Sequence, residues 1–355
     1  MFVRLAFLPI LAGIVLGVIA PLLAYVGNPE NMGICTTCFV RDIAGALKIH
    51  QAESFAYLRP EIFGLVLGAL GSAIFFGEFN PRGGSSPVAR FLLGFFAMSG
   101  ALVFLGCPLS ATLRFSGGDW SAIAGIFGFV AGVGVGSFFL KQGFSLGKSK
   151  QTSPIVGYLF ASLAFFLLVV GLFKTLNPEW NMLNFSQKGI ASIYAPWLIS
   201  LCAGLLLGAL FQKSRFCMVT AFRDLFILRD LHMMQGIVAF IFVAFFINIF
   251  LNQFNGGFIG QNAVHNEWLW NFLGMLLCGL ALTLAGGCPI RQLILSGEGD
   301  NDAGIFLIGM LVGAAFAYNF NFASSVDGAS SYAPFVILVG LAFCGILAYL
   351  SRVKS

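Results

Sequence analysis

The feature that most constrains this chain is a succession of ten long apolar runs. They fall near residues 5–26, 60–77, 88–105, 121–140, 155–173, 195–212, 235–252, 268–285, 303–320 and 334–350. Each is about 17 to 22 residues, the length at which a helix crosses the hydrocarbon core of a bilayer. Short polar stretches such as Gly77–Pro87 and Lys141–Pro154 separate most of them. Charged residues make up only 9% of the chain, against roughly 25% in a soluble domain. The surface must therefore face lipid, and the fold class is an all-α polytopic membrane protein. The net charge of +5 is small and dispersed, which argues against a nucleic-acid partner and fits basic loops on the cytoplasmic face of a membrane. The start, Met1–Ala24, looks like a signal peptide, with Arg4 before an apolar run. Its length and its counterpart in the second half favour a helix of the mature protein.

An internal repeat sets the expected architecture. Cys35 is followed six residues later by Arg41-Asp42, and Cys217 by Arg223-Asp224. Gly106-Cys107-Pro108 leads to Asp119, and Gly287-Cys288-Pro289 leads to Asp300, twelve residues after the cysteine in both cases. The two motif pairs recur at an offset of about 181 residues. Five spans in each half place the second half upside down relative to the first, as in the inverted repeats of transporters. The expected domains are residues 1–175 and 176–355. Arg4, Arg82, Arg90, Lys141, Lys148, Lys150, Lys213, Arg352 and Lys354 gather on one side, with Arg223 and Arg291 of the second-half motifs. Arg59, Lys174, Lys188, Arg41, Lys48 and Arg114 fall on the other. The first side is expected to be cytoplasmic, with both termini inside.

Proline suits the first turn of a helix, where its missing N–H costs nothing, and the preceding glycine permits a tight reversal. Cys107 and Cys288 are therefore expected at the N-caps of short re-entrant helices. Such helix ends attract anions and lower thiol pKa values, and broken backbone at membrane depth lies inside protein or lines a cavity. Arg41-Asp42 and Arg223-Asp224 are candidates for pairing or capping helix ends. Arg114 and Arg291 could offer positive charge to an anion, although they do not occupy matching positions. Cys35 and Cys38 form a CxxC unit, a redox or zinc half-site in other settings, but the second half aligns Thr220 with Cys38. Cys202, Cys278 and Cys344 lie inside spans and are expected to pack as small apolar side chains. His50, His232 and His265 show no metal spacing, and no nucleotide loop or hydrolase triad is present. No metal, cofactor or enzymatic activity is expected.

At the motifs Cys217–Asp224 (CMVTAFRD) and Leu284–Pro289 (LAGGCP), and at their first-half counterparts, the sequence resembles the YeeE/YedE family of sulfur-transport membrane proteins. The nearest branch is the YedE type linked to selenium metabolism. The resemblance covers essentially the whole chain. It implies an hourglass-shaped inverted repeat, central cysteines at Cys35, Cys107, Cys217 and Cys288, and a small TusA-like sulfur carrier on the cytoplasmic side. The expected function is import of a small sulfur or selenium anion across a bacterial inner membrane, along a path that includes Cys38. Thiosulfate is the alternative cargo. A membrane thiol–disulfide oxidoreductase using Cys35 and Cys38 is the competing class.

Overall fold

The computed structural model describes residues 7–352, so Arg4 and Lys354 lie outside the described residues. Its regular structure is almost wholly helical. The first half runs α1 Leu8–Val26, α2 Thr36–Ala46, α3 Pro60–Phe75, α4 Pro87–Phe104, α5 Pro108–Ser116, α6 Ser121–Lys141 and α7 Leu159–Leu176. The second runs α8 Trp197–Ser214, α9 Met218–Leu228, α10 His232–Phe250, α11 Trp268–Ala285, α12 Pro289–Gly297, α13 Asn301–Asn319 and α14 Ala333–Leu350. Among the described residues nine helices are long and apolar enough to cross a bilayer, and α3, at 16 residues, is a shorter apolar helix. The protein is a multi-pass membrane protein. Exposed side chains such as Phe75, Phe246, Phe250 and Leu338 form surface that would aggregate in water and is well solvated by acyl chains.

Long and short helices follow one order in both halves. Pro87 and Trp268 open α4 and α11, and Pro108 and Pro289 open α5 and α12, with a common offset of 181 residues. The two sets interleave rather than standing side by side. Helix α6 lies along α11 while α4 lies along α13, and α3 lies along α8 while α1 lies along α10. Each of these pairings maps onto its partner when the halves are exchanged. These eight helices therefore pair in the same way from either half. The last long helix of each half departs from it: α7 lies against α3, whereas α14 lies against α11 and α4.

Close approach between helices depends on glycine. A Cβ on Gly128 of α6 would collide with the carbonyl of Phe272 on α11. A Cβ on Gly309 of α13 would collide with the carbonyl of Phe91 on α4. Small residues at such crossings let backbones touch, which is how helices associate where lipid removes the hydrophobic drive.

The turns after α5 and α12 are also matched. Gly118 and Gly299 both adopt φ of 97°, a backbone that favours glycine. The residues that follow, Asp119 and Asp300, each bridge to backbone of the opposite half, at Gly257 and Arg82. Asp119 accepts from the Ser121 N–H at 2.9 Å, one residue ahead of Trp120 at the N-cap of α6, and Asp300 accepts from the Asp302 N–H at 3.0 Å as the N-cap of α13. A two-residue ladder pairs β1 Arg82–Gly83 with β2 Lys150–Gln151.

Candidate functional site

Four short helices, α2, α5, α9 and α12, begin immediately after a cysteine. Cys35, Cys107, Cys217 and Cys288 are the N-cap residues of α2, α5, α9 and α12, each in extended conformation. An N-cap side chain ordinarily offers oxygen to the unpaired N–H groups of the first turn. In the first half sulfur takes that place, whereas the Cys217 and Cys288 side chains make no such bond. Cys35 Sγ accepts from the Cys38 N–H at 3.3 Å, and Cys107 Sγ accepts from the Ser110 N–H at 3.4 Å. The sequence pointed to Cys107 and Cys288 as caps. The structure adds Cys35 and Cys217, which lack the proline that signals a first turn.

The cysteines meet in pairs, one pair from each half. Cys35 Sγ lies 3.9 Å from Cys107 Sγ. Cys217 Sγ accepts from the backbone N–H of Cys288 at 3.4 Å. Cys38 Sγ reaches the carbonyl of Leu105 at 4.0 Å, beside the break that precedes Cys107. All five sulfur-bearing residues are buried. Helix α12, which carries the second pair, packs on α2 of the first. The hydroxyls of Thr36 and Thr37, fully buried in the first turn of α2, have no hydrogen-bond partner among the described residues. An unpartnered buried hydroxyl costs about 1–3 kcal/mol, so two unmet polar groups stand beside Cys35.

The reversals ahead of Cys107 and Cys288 sit one residue earlier than expected. The left-handed residues are Leu105, with φ of 63°, and Gly286, with φ of 90°. Gly106 serves space instead, since a Cβ there would lie 2.5 Å from Ser110 Oγ. Gly287 is likewise outside the left-handed region, and Pro108 and Pro289 open their helices as their ring geometry favours.

The Arg-Asp units share one local geometry. Arg41 Nε and Nη2 donate to Asp42 Oδ1 at 3.0 and 2.8 Å. Arg223 Nε and Nη2 donate to Asp224 Oδ1 at 2.9 and 2.8 Å. Their surroundings differ. Arg59 was expected in an outer loop, yet its side chain is fully buried and pairs with Asp42 Oδ2 at 2.8 Å. Nothing local marks it, because the contact is made only once α2 and the start of α3 fold together. The Arg223–Asp224 side chains stay 30% and 18% exposed.

Neither Arg114 nor Arg291 is a free cation. Arg114 is buried, pairs with Asp119 at 2.7 Å and lies over the Phe104 ring. Arg291 pairs with Glu298 at 3.0 Å, and Glu298 also binds Arg215. Cys278 and Cys344 are buried as expected of packing residues. Cys202 is exposed on α8, contrary to that expectation, because it points to the lipid-facing side of its helix.

Residues 213–344 match the family model described as Sulphur transport. That stretch contains both second-half motifs. Over this stretch the chain is similar to the sulphur-transport family. Its relatives include the thiosulfate transporter TsuA of Escherichia coli (strain K12), 32% identical over 102 residues, which is 29% of this chain and 28% of that protein. Another is the thiosulfate transporter TsuA of Spirochaeta thermophila, 29% identical over 99 residues, or 28% of this chain and 29% of that protein. The chain spans less than a third of the length of the curated relatives it matches. Within the matched region, Cys217 and Cys288 are the N-cap residues of the two short helices α9 and α12.

Proposed function

We propose that this protein imports a small sulfur- or selenium-containing anion along its buried thiols. The observation that carries the reading is the pairing itself: four short helices start at buried cysteines, the Cys35 and Cys107 sulfurs meet, and the Cys217 sulfur meets the backbone N–H of Cys288. Helix N-termini supply N–H groups and positive dipole ends for an anion. Thiol S–H groups are weak donors. They suit a soft sulfur or selenium anion because they hold it without trapping it, and conduction requires release as well as entry.

In this reading Cys35, Cys38 and Cys107 meet the anion from the periplasm, and Cys217 and Cys288 receive it on the cytoplasmic side. The loop charges favour that orientation in a bacterial inner membrane, with both termini inside. The inverted repeat, residues 1–175 against 176–355, supplies equivalent thiols from opposite faces. The names of the relatives favour thiosulfate. The resemblance at the Gly-Cys-Pro motifs favours a selenium species of the YedE type. A TusA-like carrier would take the cargo on the inner side. The contact of Cys35 with Cys107 fits a relay across two loops better than a CxxC redox pair confined to α2.

The test is uptake of labelled thiosulfate, selenite and selenide by cells lacking other sulfur and selenium importers. Expression of the protein should restore uptake of one of them. Cys107→Ala and Cys288→Ala should each abolish it; uptake at the normal rate in either variant would show the relay to be wrong.

A further inference from the structure

A cavity of about 320 Å³ opens where α2 and α13 end and reaches inward to the break before Cys107. Its lining includes Arg41, Phe55, Leu105, Tyr318 and Ser324. Leu105 is the contact to the thiols, since its carbonyl faces Cys38 Sγ and the next two residues lead to Cys107. Arg41 is the one charged residue on this lining among the described residues.

The charge near this cavity does not balance. Arg41 and Arg59 are both buried, and both bind the one carboxylate of Asp42. Two guanidinium groups on one carboxylate leave a net positive charge inside the protein. Glu61 does not answer it by an ion pair: its Oε1 accepts from Asn28 and Ser200. Burying an unanswered charge is costly, and a bound counter-ion removes that cost.

Neutral donors stand on the same wall. Ser324 is 5% exposed, and its hydroxyl has no hydrogen-bond partner among the described residues. The Tyr318 hydroxyl likewise has none. The Tyr318 ring is held against His50 and Phe55, with centroids 5.0 Å away in each case. The Arg41 guanidinium lies 4.0 Å over the Phe55 ring. The cation and Tyr318 are therefore fixed in place by the same phenylalanine.

We infer that this cavity is an anteroom that binds a small oxyanion before it meets the thiols, with Arg41 supplying charge and the Tyr318 and Ser324 hydroxyls supplying hydrogen bonds. The second half thus contributes recognition at the mouth whose thiols belong to the first. The inference rests on the transport reading for its place in a path but not for its binding chemistry. Charge alone would hold many anions. Two hydroxyls at fixed positions favour one whose oxygens can accept from both, and leave the softer atom free to face Cys38 and Cys107.

Binding of thiosulfate, with sulfate as comparator, to the purified full chain in lipid nanodiscs tests it. Tyr318→Phe and Ser324→Ala each remove one oxygen and keep the packing. Each should weaken thiosulfate binding about tenfold, the usual effect of losing one hydrogen bond to a charged ligand. In cells both should raise KM for uptake. If the double variant binds thiosulfate as tightly as the parent, this site is wrong, whatever uptake shows. If binding depends on both hydroxyls while the parent imports no thiosulfate in cells, the anteroom stands and thiosulfate import falls.

Discussion

The segments Cys35–Asp42 and Cys217–Asp224 begin from one pattern and end in different places. Both place a cysteine at the N-cap of a short helix, and both close an Arg-Asp pair with the same two hydrogen bonds. The first is sealed inside the protein and acquires a second arginine. The second remains partly exposed as a simple neutral pair. A duplicated sequence therefore supplies matched local geometry, while the surroundings decide whether that geometry carries net charge. Under the proposed transport reading, a positive segment on the entry side would attract the ion and a neutral one on the exit side would let it leave.

The sharpest way to break the comparison is to remove each aspartate. Asp42→Asn strands two buried guanidinium groups and should destabilise the protein by about 3–5 kcal/mol. Asp224→Asn removes an exposed pair worth at most about 1 kcal/mol. Thermal unfolding of the two purified variants should show a large drop for the first and little for the second. Equal drops would mean that burial does not distinguish the segments.

Where the halves are truly alike, they should fail alike. Gly128→Leu and Gly309→Leu each push a side chain into a carbonyl of the other half. Each should cost about 1–3 kcal/mol through overpacking. Both should lower the unfolding temperature by similar amounts, and a one-sided effect would show that the two crossings are not equivalent.

The reversals before the Gly-Cys-Pro motifs differ only in side chain. Leu105 holds a left-handed conformation that Gly286 adopts without strain. Leu105→Gly should relieve about 1 kcal/mol and Gly286→Leu should add a similar strain. Comparing their unfolding temperatures tests this opposition. In Leu105→Gly a rise in stability accompanied by loss of uptake would mark Leu105 as a strained functional residue.

The smallest expected effect is at the Lys213 contact that ties the halves near α3 and α8. Lys213, together with Gln212 and Arg215, holds the Glu78 carboxyl below its ordinary value of 4.5. A depressed carboxylate stabilises the fold above its unfolded pKa, and that contribution fades as pH falls through the folded value. Stability should therefore decline slightly more below about pH 4.5 in the parent than in Glu78→Gln. Melting curves across pH 3 to 6 would show it, and coincident curves would remove the ion pair from the account.

Much of this was legible in the sequence. Run length gave the spans, and the spacing of Cys, Arg, Pro and Asp gave the repeat. The Gly-Cys-Pro units placed Cys107 and Cys288 at helix starts, because proline at a first turn is a local rule. Other features were out of reach. Arg59 reads as an ordinary loop cation, and its partner Asp42 is 17 residues away. Cys35 and Cys107 are 72 residues apart, and their sulfurs meet only because two separate chain breaks face each other. The cavity that joins Arg41 to Tyr318 and Ser324 spans both halves. The sequence by itself determined what recurs along the chain, since helix length, turn chemistry and N-caps depend on neighbouring residues. Only the tertiary structure decided which recurring parts are buried and which partners they meet, since burial and net local charge depend on packing between segments that are distant in sequence.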